Sequence, residues 1–455
     1  MFLGQKPVEY QEFEKELRKV RRHRGDREDF LIRVQKAAKI AFESRSAFRK
    51  HFAEHAHRFV ADERNLYIAM EHLRKEGGKA PGPDGLRYKD LPSKSKRFEF
   101  CRSIRDEIND QSYKLGETKT IRVTKPGGGS RKLTLMNLDD RIALRGLKQV
   151  VEPMIDPEFL EMSYGFRPNR HRAQMIVDLC TRSLAEKRNF WVKADIKSAF
   201  PSVCIKEVVR LLSKRFPTQR MRELFKTFLP KTANVGGLPQ GSPFSPLCLN
   251  LYLHDRIDRL WEKRCPSVPI YRYADDFVLL AKNRREASRS LKSLGFLAEK
   301  AGLELKDTAE SPIVDLKKGD HLIVLGMDCQ LVEPSKFRIR PSTSSTEKML
   351  NKLRSIECDE DATNRVFLTL KGWIDQQALA FSEWRASEIL FKVNAVLKEK
   401  GLHQETIVGS INNAVDDWMD SDQWHLGNAD VWLEFWRKSN SKLLSRLNPQ
   451  DLNFV

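Results

Sequence analysis

Short hydrophobic runs next to acidic residues mark the central part of the chain. Residues 278–280 read Val-Leu-Leu, a run typical of a buried strand, and two tyrosines occupy alternate positions in 271–273. Asp275 and Asp276 lie between these stretches, so the pattern predicts a hairpin with both acids at its turn. Two carboxylates on a rigid turn repel each other, and a divalent metal ion would relieve this because hard cations take oxygen ligands. The alternative is a solvated Asp-Asp pair in an ordinary turn.

A third acid ends another predicted strand. Residues 190–195 read Phe-Trp-Val-Lys-Ala-Asp, so Asp195 follows an apolar run, and Phe200 comes shortly after it. Taken alone, an acid in this position is more often a cap than a catalytic group. Together with Asp275 and Asp276, however, it would supply a third carboxylate from a neighbouring strand.

Two glycine-containing segments predict loops that approach a ligand. Residues 119–135 predict a hairpin whose glycine turn is flanked by Lys125 and Arg131. Such cations suit a triphosphate, because arginine offers a fork of donors to phosphate oxygens; an ordinary basic hairpin is the alternative. Within residues 236–246, Gly241 permits close approach of the backbone to another group.

Helical patterning dominates the amino-terminal part of the chain. Residues 1–76 are helical in pattern and highly charged, and they include a basic run with Arg18, Arg21 and Arg22. This run suits the backbone of an RNA, and a solvated helix face is an equal alternative.

The carboxyl-terminal part returns to helical patterning from about residue 346. Beyond residue 401 the acidic residues outnumber the basic ones, which makes this tail a poor clamp for nucleic acid. Its four tryptophans instead favour a packed helical module or a protein interface, including self-association: Trp418, Trp424, Trp432 and Trp436.

Charge narrows the class of partner. The chain carries 81 lysines and arginines against 62 aspartates and glutamates, a net charge of +19. Spread cations give sequence-independent affinity for nucleic-acid phosphates, and a generally basic soluble protein is the alternative.

Seven dispersed cysteines without a Cys-x-x-Cys pair predict reduced thiols and a cytoplasmic location. The sequence shows neither a signal peptide nor an apolar run near the roughly 20 residues of a membrane span, so no membrane partner is expected.

These elements together predict one chemistry, in-line nucleotidyl transfer. That reaction uses two metal ions about 4 Å apart, while the protein supplies carboxylates, positioning and cations for the triphosphate. Asp195, Asp275 and Asp276 would supply the carboxylates, and the basic hairpin would supply the cations. Gly241 would let a base pair pass close to the backbone.

Segments from about residue 77 to 400 resemble, in family order, the motifs of reverse transcriptases. Motifs A, B and C are similar to Asp195-Ile196-Lys197 with Phe200, Leu238–Pro243 and Tyr273–Asp276. Upstream blocks of the bacterial branch that includes group II intron proteins are similar to Gly82–Gly85, Asp140–Ile142 and Tyr164–Pro168. The primer-grip block and the thumb of that branch resemble Val324–Gly326 and Leu370–Trp373.

The resemblance implies an α+β right-hand polymerase fold with fingers, a palm built on an antiparallel sheet, and a helical thumb. The implied divisions are a basic helical N-terminal extension at 1–76, fingers with the first palm elements at 77–190, the palm at 191–335, the thumb at 336–400 and a Trp-rich helical C-terminal extension at 401–455.

The resemblance also implies roles for single residues. Two Mg²⁺ ions, or alternatively Mn²⁺, would be held by the catalytic Asp195, Asp275 and Asp276 and by the backbone of Ile196. Binding of dNTP falls to Lys125, Arg131, Phe200, Gln240 and Gly241, where the ring of Phe200 crowds a 2′-hydroxyl and favours deoxynucleotides. Nucleic-acid contacts fall to Arg18, Arg21, Arg22, to Arg167 in an exposed turn, and to Gly326.

Two departures from the family pattern refine the expectation. Thr308-Ala309-Glu310 stands where intron proteins usually carry Lys-Thr, so Lys306 or Lys317 becomes the proton donor to pyrophosphate. No Cys- and His-bearing endonuclease domain follows the thumb, which favours the stand-alone bacterial enzymes, including defence-associated reverse transcriptases. The expected function is therefore RNA-directed synthesis of DNA on a structured non-coding RNA, in antiviral defence.

Two alternatives stay open. One is a maturase or scaffold that binds RNA without synthesis, against which the three intact acids argue. The other is an RNA-dependent RNA polymerase, which Phe200 opposes.

Overall fold

The computed structural model describes residues 27–43, 46–124, 130–229, 237–306, 313–333, 336–359, 361–377 and 386–401. Its helices are α1 Arg27–Glu43, α2 Ser46–Val60, α3 Glu63–Glu76, α4 Lys94–Asn109, α5 Leu138–Ile155, α6 Arg172–Ala185, α7 Ala199–Ser202, α8 Ile205–Arg215, α9 Gln219–Phe228, α10 Ser245–Leu253, α11 Arg259–Arg264, α12 Arg284–Lys300, α13 Thr343–Arg354, α14 Ala362–Gln376 and α15 Ala386–Glu399. A π-helical turn, His254–Asp258, joins α10 to α11.

Nine strands are assigned in the described residues: β1 Lys119–Thr124, β2 Ser130–Leu135, β3 Phe190–Asp195, β4 Ile270–Tyr273, β5 Asp276–Ala281, β6 Ile313–Asp315, β7 His321–Val324, β8 Met327–Glu333 and β9 Lys336–Pro341. They form a two-stranded sheet β1-β2, a four-stranded sheet in the order β4-β5-β3-β6, and a three-stranded sheet β7-β8-β9. Helices combined with antiparallel sheets confirm the predicted α+β class.

The chain divides into two compact units. The first comprises the described residues of Met1–Pro168, Ile196–Arg264 and Gly295–Glu304. The second comprises those of Asn169–Asp195, Cys265–Leu294 and Leu305–Val455. The predicted boundaries of extensions, fingers, palm and thumb stay predictions. Arg18, Arg21, Arg22, Lys125 and the tail from residue 402 lie outside the described residues.

In the first unit, helices α3 and α5 approach closely because a glycine lies where they meet. A Cβ on Gly146 would lie 3.0 Å from Leu66 Cδ2. The buried Asn65 amide donates to Val60 O over 3.1 Å and to Gly146 O over 3.0 Å, and its oxygen accepts from Gln149 Nε2 over 2.8 Å. Since a buried amide costs free energy unless it is paired, these bonds fix how the two helices align.

In the second unit, an aromatic core supports the four-stranded sheet. The ring of Trp191, on β3, stacks on that of Phe337, on β9, with centroids 5.4 Å apart. Trp191 Nε1 donates to Ser183 Oγ of α6 over 3.0 Å, so the indole is buried with its donor satisfied. Residues 278–280 of β5 are buried, as the apolar run predicted. No described helix is long and apolar enough to cross a membrane.

Candidate active site

Two adjacent acids lie at the tip of the β4–β5 hairpin, as the sequence pattern predicted. Tyr273 pairs with Asp276, so Ala274 and Asp275 form a two-residue turn. Ala274 has a φ of +56°, in the left-handed region that costs an L-residue about 1 kcal/mol. The buried Arg272 donates from Nη1 to Ala274 O over 3.0 Å, which holds the turn in this conformation.

Asp195 lies directly across the sheet from Asp276. Strands β3 and β5 are antiparallel, in a register that runs from Phe190 opposite Ala281 to Asp195 opposite Asp276. This register brings three carboxyls from distant parts of the sequence to one end of one sheet within the second unit.

Burial and mutual repulsion disfavour the ionised acids. Burial raises the pKa of Asp276 to about 7; the neighbouring carboxyls of Asp195 and Asp275 add to the rise, and Lys193 opposes it. Burial also raises the pKa of Asp275, and the charge of Asp195 contributes to that shift. The Oδ1 atom of Asp195 is buried and meets no hydrogen-bond donor among the described residues. A positive charge at this end of the sheet would therefore stabilise the three acids.

Lysine side chains supply part of that charge. Lys306 Nζ lies 2.8 Å from Asp195 Oδ2, and its backbone N donates to Asp195 O over 2.8 Å. Lys193 donates from Nζ to Ile323 O over 3.2 Å. The sequence suggested Lys306 or Lys317 as a proton donor, and it is Lys306 that contacts an acid. Lys193 was missed, although strand alternation puts it on the same face of β3 as Asp195.

The donor chemistry of this cluster suits a hard divalent cation. Three carboxylates offer oxygen ligands only, and the unmet Asp195 Oδ1 is one of them. Ile196, whose backbone is the predicted additional ligand, directly follows Asp195. As placed, no three or more His, Cys, Asp or Glu side chains of the described residues are arranged to hold a metal ion, and Lys306 contacts Asp195. The oxygen donors of the three aspartates thus suit a hard divalent cation. In this structure the ammonium group of Lys306 contacts one of these aspartates, Asp195.

The other predicted nucleotide contacts that the structure describes lie in the first unit. The half-buried ring of Phe200 meets the exposed ring of Phe166 edge-on, with centroids 6.3 Å apart. Gln240 O accepts from Thr134 N over 2.6 Å. A Cβ on Gly241, where φ is +125°, would lie 2.3 Å from Thr134 O. The close approach that requires this glycine is therefore to strand β2, whereas the sequence suggested a base pair.

Arg131, the predicted triphosphate contact of the basic hairpin that lies within the described residues, is exposed on β2 opposite Val123. The strands on both sides of the predicted glycine turn pair as the sequence predicted, from Lys119 opposite Leu135 to Thr124 opposite Ser130. Arg131 is thereby presented close to the end of a paired strand, where a ligand has access to it.

The segment after residue 236 lies against the backbone at Phe200. Leu238 N donates to Phe200 O over 2.7 Å. Gly237 has a φ of +84°, and a Cβ there would lie 2.2 Å from Pro201 O. Gly237, which the sequence pattern did not single out, thus allows the segments that resemble motifs A and B to lie close together.

The expectation that Arg167 is exposed is wrong. Its side chain is 5% exposed, and it forms an ion pair with Asp156, with Nε 2.7 Å from Oδ1. Its Nη1 donates to the carbonyls of Leu160 and Ser163, and its Nη2 donates to Asp156. Because all three nitrogens are engaged within the protein, Arg167 stabilises its turn and offers no donor to a nucleic acid.

Gly326, the predicted primer-grip contact, lies in the turn between β7 and β8. Leu325 and Gly326 have φ values of +50° and +84°, and Val324 pairs with Met327. Two consecutive positive φ values are typical of a type I′ hairpin, in which glycine is favoured. Arg172 Nη1 donates to Leu325 O over 3.4 Å, so this turn is held by a side chain from the start of α6.

The segment Asp140–Ile142 stabilises the loop before it. The buried carboxyl of Asp140 accepts from Tyr113 OH over 2.9 Å and from Gly116 N over 3.1 Å. Arg141 Nη2 donates to Ala80 O, in the glycine- and proline-rich loop, over 2.9 Å. Two adjacent charged residues thus tie two loops to the first turn of α5.

Comparison with known proteins identifies the domain that contains the three acids. Residues 123–308 match the family model described as reverse transcriptase (RNA-dependent DNA polymerase). Protein YkfC of Escherichia coli is 29% identical over 255 residues, which cover 47% of this chain and 66% of YkfC. The group II intron-encoded protein LtrA of Lactococcus lactis subsp. cremoris is 26% identical over 168 residues, which cover 34% of this chain and 27% of LtrA.

Among solved structures, telomerase from Candida albicans in complex with a TWJ fragment of telomeric RNA aligns at a TM-score of 0.40 and 11% identity, over 75% of this chain and 64% of that chain. The chain spans just under two thirds of YkfC and about a quarter of LtrA. Asp195, Asp275 and Asp276 all fall inside the matched segment. The predicted resemblance to reverse transcriptases is confirmed over residues 123–308, which match the family model and contain all three acids.

Proposed function

We propose that this protein is an RNA-directed DNA polymerase that makes DNA by metal-assisted nucleotidyl transfer. The observation that supports it most is the strand register that sets Asp195 opposite Asp276, beside Asp275, inside a reverse transcriptase domain. Paired strands hold these carboxyls at one sheet end, which is the positioning that this reaction asks of a protein.

In this proposal Asp195, Asp275, Asp276 and the backbone of Ile196 hold divalent cations, for which Mg²⁺ suits an all-oxygen donor set. When bound, the two ions activate the attacking hydroxyl and stabilise the departing pyrophosphate. Burial, together with the repulsion between the carboxyls, raises the pKa values of Asp275 and Asp276, and this is the chain's own contribution because it favours the uptake of positive charge. Lys306, which contacts Asp195 Oδ2, is the proposed proton donor.

Selection of the nucleotide is assigned to residues of the first unit. Phe200 would crowd a 2′-hydroxyl, Gln240 and Gly241 would line the nascent base pair, and Lys125 and Arg131 would hold the triphosphate. The exposure of Arg131 supports its part in this proposal. Template and primer contacts are assigned to Gly326 and to the basic run with Arg18, Arg21 and Arg22.

The template is proposed to be a structured non-coding RNA in a bacterial cytoplasm. The net charge of +19 supports an RNA partner, and seven cysteines without a disulfide support a reducing compartment. The proposed antiviral role rests on resemblance to defence-associated enzymes alone. Sequencing the RNA and DNA that co-purify with the protein would test both points; recovery of bulk cellular RNA alone, without a specific species, would contradict a dedicated template.

Primer extension tests the polymerase itself. Purified protein is expected to incorporate deoxynucleotides on an RNA template with Mg²⁺, and Asp275→Asn to reduce incorporation by on the order of 10³-fold or more. Asp110→Asn, which changes an exposed aspartate after α4, is the matched control and is expected to retain activity. Unchanged incorporation by Asp275→Asn would remove the metal assignment. Full biological activity of Asp195→Ala would favour the scaffold function.

A further inference from the structure

A cavity with a volume of about 810 Å³ opens in the first unit between the ends of four helices. Its wall combines the end of α2, the start of α3, the end of α4 and Arg220 at the start of α9. Cavities of 300–1,000 Å³ are typical of ligand sites. None of the residues assigned to the proposed function lines this cavity.

The acidic residues of the wall are already neutralised by arginines. Asp62 accepts from Arg64 Nε over 2.9 Å and from Arg64 Nη2 over 2.7 Å. Glu63 accepts from Arg105 Nη1 over 2.9 Å. These four side chains therefore contribute little net charge to the cavity.

Two further arginines in the wall keep their charge. In the part of the chain that the structure describes, neither Arg58 nor Arg220 forms an ion pair with a carboxylate. Arg220 Nη1 donates to the carbonyl of Asn109 over 3.1 Å, and this neutral acceptor holds the guanidinium at the wall. Burial lowers the pKa of His57, and the charges of Arg220 and Arg58 lower it further, so His57 is neutral at pH 7 and lies close to both arginines.

The backbone adds to this positive field. Helix α9 has 10 residues and begins immediately before Arg220, whereas the start of helix α3 is already capped by the carboxylate of Asp62, which accepts from Arg64 N over 2.9 Å. The amino-terminal end of a helix carries a partial positive charge that favours an anion. Two guanidinium groups that form no ion pair with a carboxylate of the described residues, and the start of helix α9, thus lie at one cavity.

We propose that this cavity binds a phosphate group between Arg58 and Arg220, with His57 as an additional donor. A guanidinium presents a planar fork of donors that matches phosphate oxygens, and two of them offset the charge of a phosphate. The phosphate belongs either to a free nucleoside triphosphate, which the volume accommodates, or to the backbone of an RNA strand.

The test compares two double variants of the full chain. Arg58→Gln with Arg220→Gln removes both charges from the cavity. Lys50→Gln with Arg222→Gln removes the same charge from exposed positions of the same two helices, outside the cavity. A third variant, with both cavity arginines changed to Lys, keeps the charge, and melting without ligand verifies that each variant folds.

Two probes distinguish the sources of the phosphate, both used in EDTA so that no synthesis takes place. The first is a labelled single-stranded RNA, whose affinity is followed over a salt series. The second is ATP, whose stabilisation of the protein is followed by thermal melting. Because neither probe depends on catalysis, failure of this proposal is separate from failure of the polymerase proposal.

If RNA supplies the phosphate, the slope of log K against log salt falls by about 0.7 in the cavity variant relative to the control, since one phosphate contact to a single strand contributes about 0.7. The double Lys variant then keeps most of the slope. If a free nucleotide supplies it, the cavity variant loses the ATP-dependent rise in melting temperature and the control keeps it. Identical behaviour of the cavity variant and the control with both probes would overturn the proposal.

Discussion

Lys306 contacts Asp195 twice, with Nζ 2.8 Å from Oδ2 and with its backbone N 2.8 Å from the carbonyl oxygen. The backbone bond fixes residue 306 beside the end of β3, and the side-chain bond places an ammonium group on an acid that is proposed to bind metal. Because Lys306 and a divalent ion would both bind the one carboxylate of Asp195, we expect the two cations to compete for it.

Replacement of Lys306 by Met should make the protein depend more on divalent metal. Without the ammonium group the acids repel each other more, so we expect the free energy of unfolding in EDTA to fall by about 0.5–1 kcal/mol, a modest amount because the lysine side chain is 38% exposed. The rise in melting temperature on adding Mg²⁺ should be larger than in the wild type. Lys317→Met, at an exposed lysine, is the control; equal Mg²⁺-dependent rises in all three proteins would contradict the competition.

Gly237 should tolerate alanine less well than another glycine with positive φ. Gly302 has a φ of +66° and open space where a Cβ would lie, whereas a Cβ on Gly237 would lie 2.2 Å from Pro201 O. Gly302→Ala is expected to cost about 1 kcal/mol through backbone strain alone. Gly237→Ala should cost about 3 kcal/mol or more, because strain and collision combine. Denaturant unfolding measures both, and equal losses would show that the segment moves away from Phe200 freely.

Phe200→Ala should relax the choice of sugar. If the ring excludes a 2′-hydroxyl, its removal raises the ratio of kcat/KM for ribonucleotides to that for deoxynucleotides by roughly 10- to 200-fold, the range of a contact worth 1–3 kcal/mol. Single-nucleotide incorporation measures the ratio. Phe166→Ala removes the neighbouring ring, 6.3 Å away, and controls for loss of packing at Phe200. An unchanged ratio in Phe200→Ala would exclude this residue as the sugar gate.

Asp140 should make stability depend on pH. Burial raises the pKa of Asp140 from 3.8 to about 6, with a further rise from Asp139, whereas bonds from Tyr113 and Gly116 oppose the shift. A carboxyl whose pKa is raised by folding favours the folded state while it is protonated. Its contribution is therefore complete below about pH 4 and is lost as the pH rises through about 6.

The measurement for Asp140 is a comparison with Asp140→Asn over pH 4 to 7 by denaturant unfolding. The free energy of unfolding of the wild type minus that of Asp140→Asn should fall with rising pH. This trend does not depend on how much the substitution itself changes stability at any one pH. Asp110→Asn, at an exposed site, should show no such trend. A difference that is flat for Asp140→Asn would mean that its carboxyl titrates alike in the folded and unfolded chains.

Local patterns in the sequence predicted the strands around the acids but not the groups that surround them. Strand alternation and the apolar run were enough for β3, β4 and β5, because the period of two and the turn between Tyr273 and Asp276 are local properties. The contact between Lys306 and Asp195 joins residues 111 positions apart, and no local signal specifies such a partner.

Arg167 is a second residue whose contacts could not be predicted from the local sequence. An arginine that follows two aromatic residues in a turn has the pattern of an exposed nucleic-acid contact, yet the Asp156 carboxylate and three carbonyl groups surround it. Gly241 was correctly predicted to permit close approach, but the approaching group, Thr134 O, comes from a hairpin that precedes it by about a hundred residues. Sequence patterns indicated which residues are special, and the tertiary structure decided what they touch.

The pairing of Asp195 with Asp276 makes the proposed catalysis depend on the alignment of two strands. A slip of one residue between β3 and β5 would turn the Asp195 carboxyl to the opposite face, the face of the buried Val192 and Ala194. Trp191, stacked on Phe337, opposes such a slip because its ring would have to leave its place in the core. Apolar side chains with no reactive group thereby keep the carboxyls of the two strands aligned, and their replacement is expected to abolish the proposed polymerase activity while most of the fold remains.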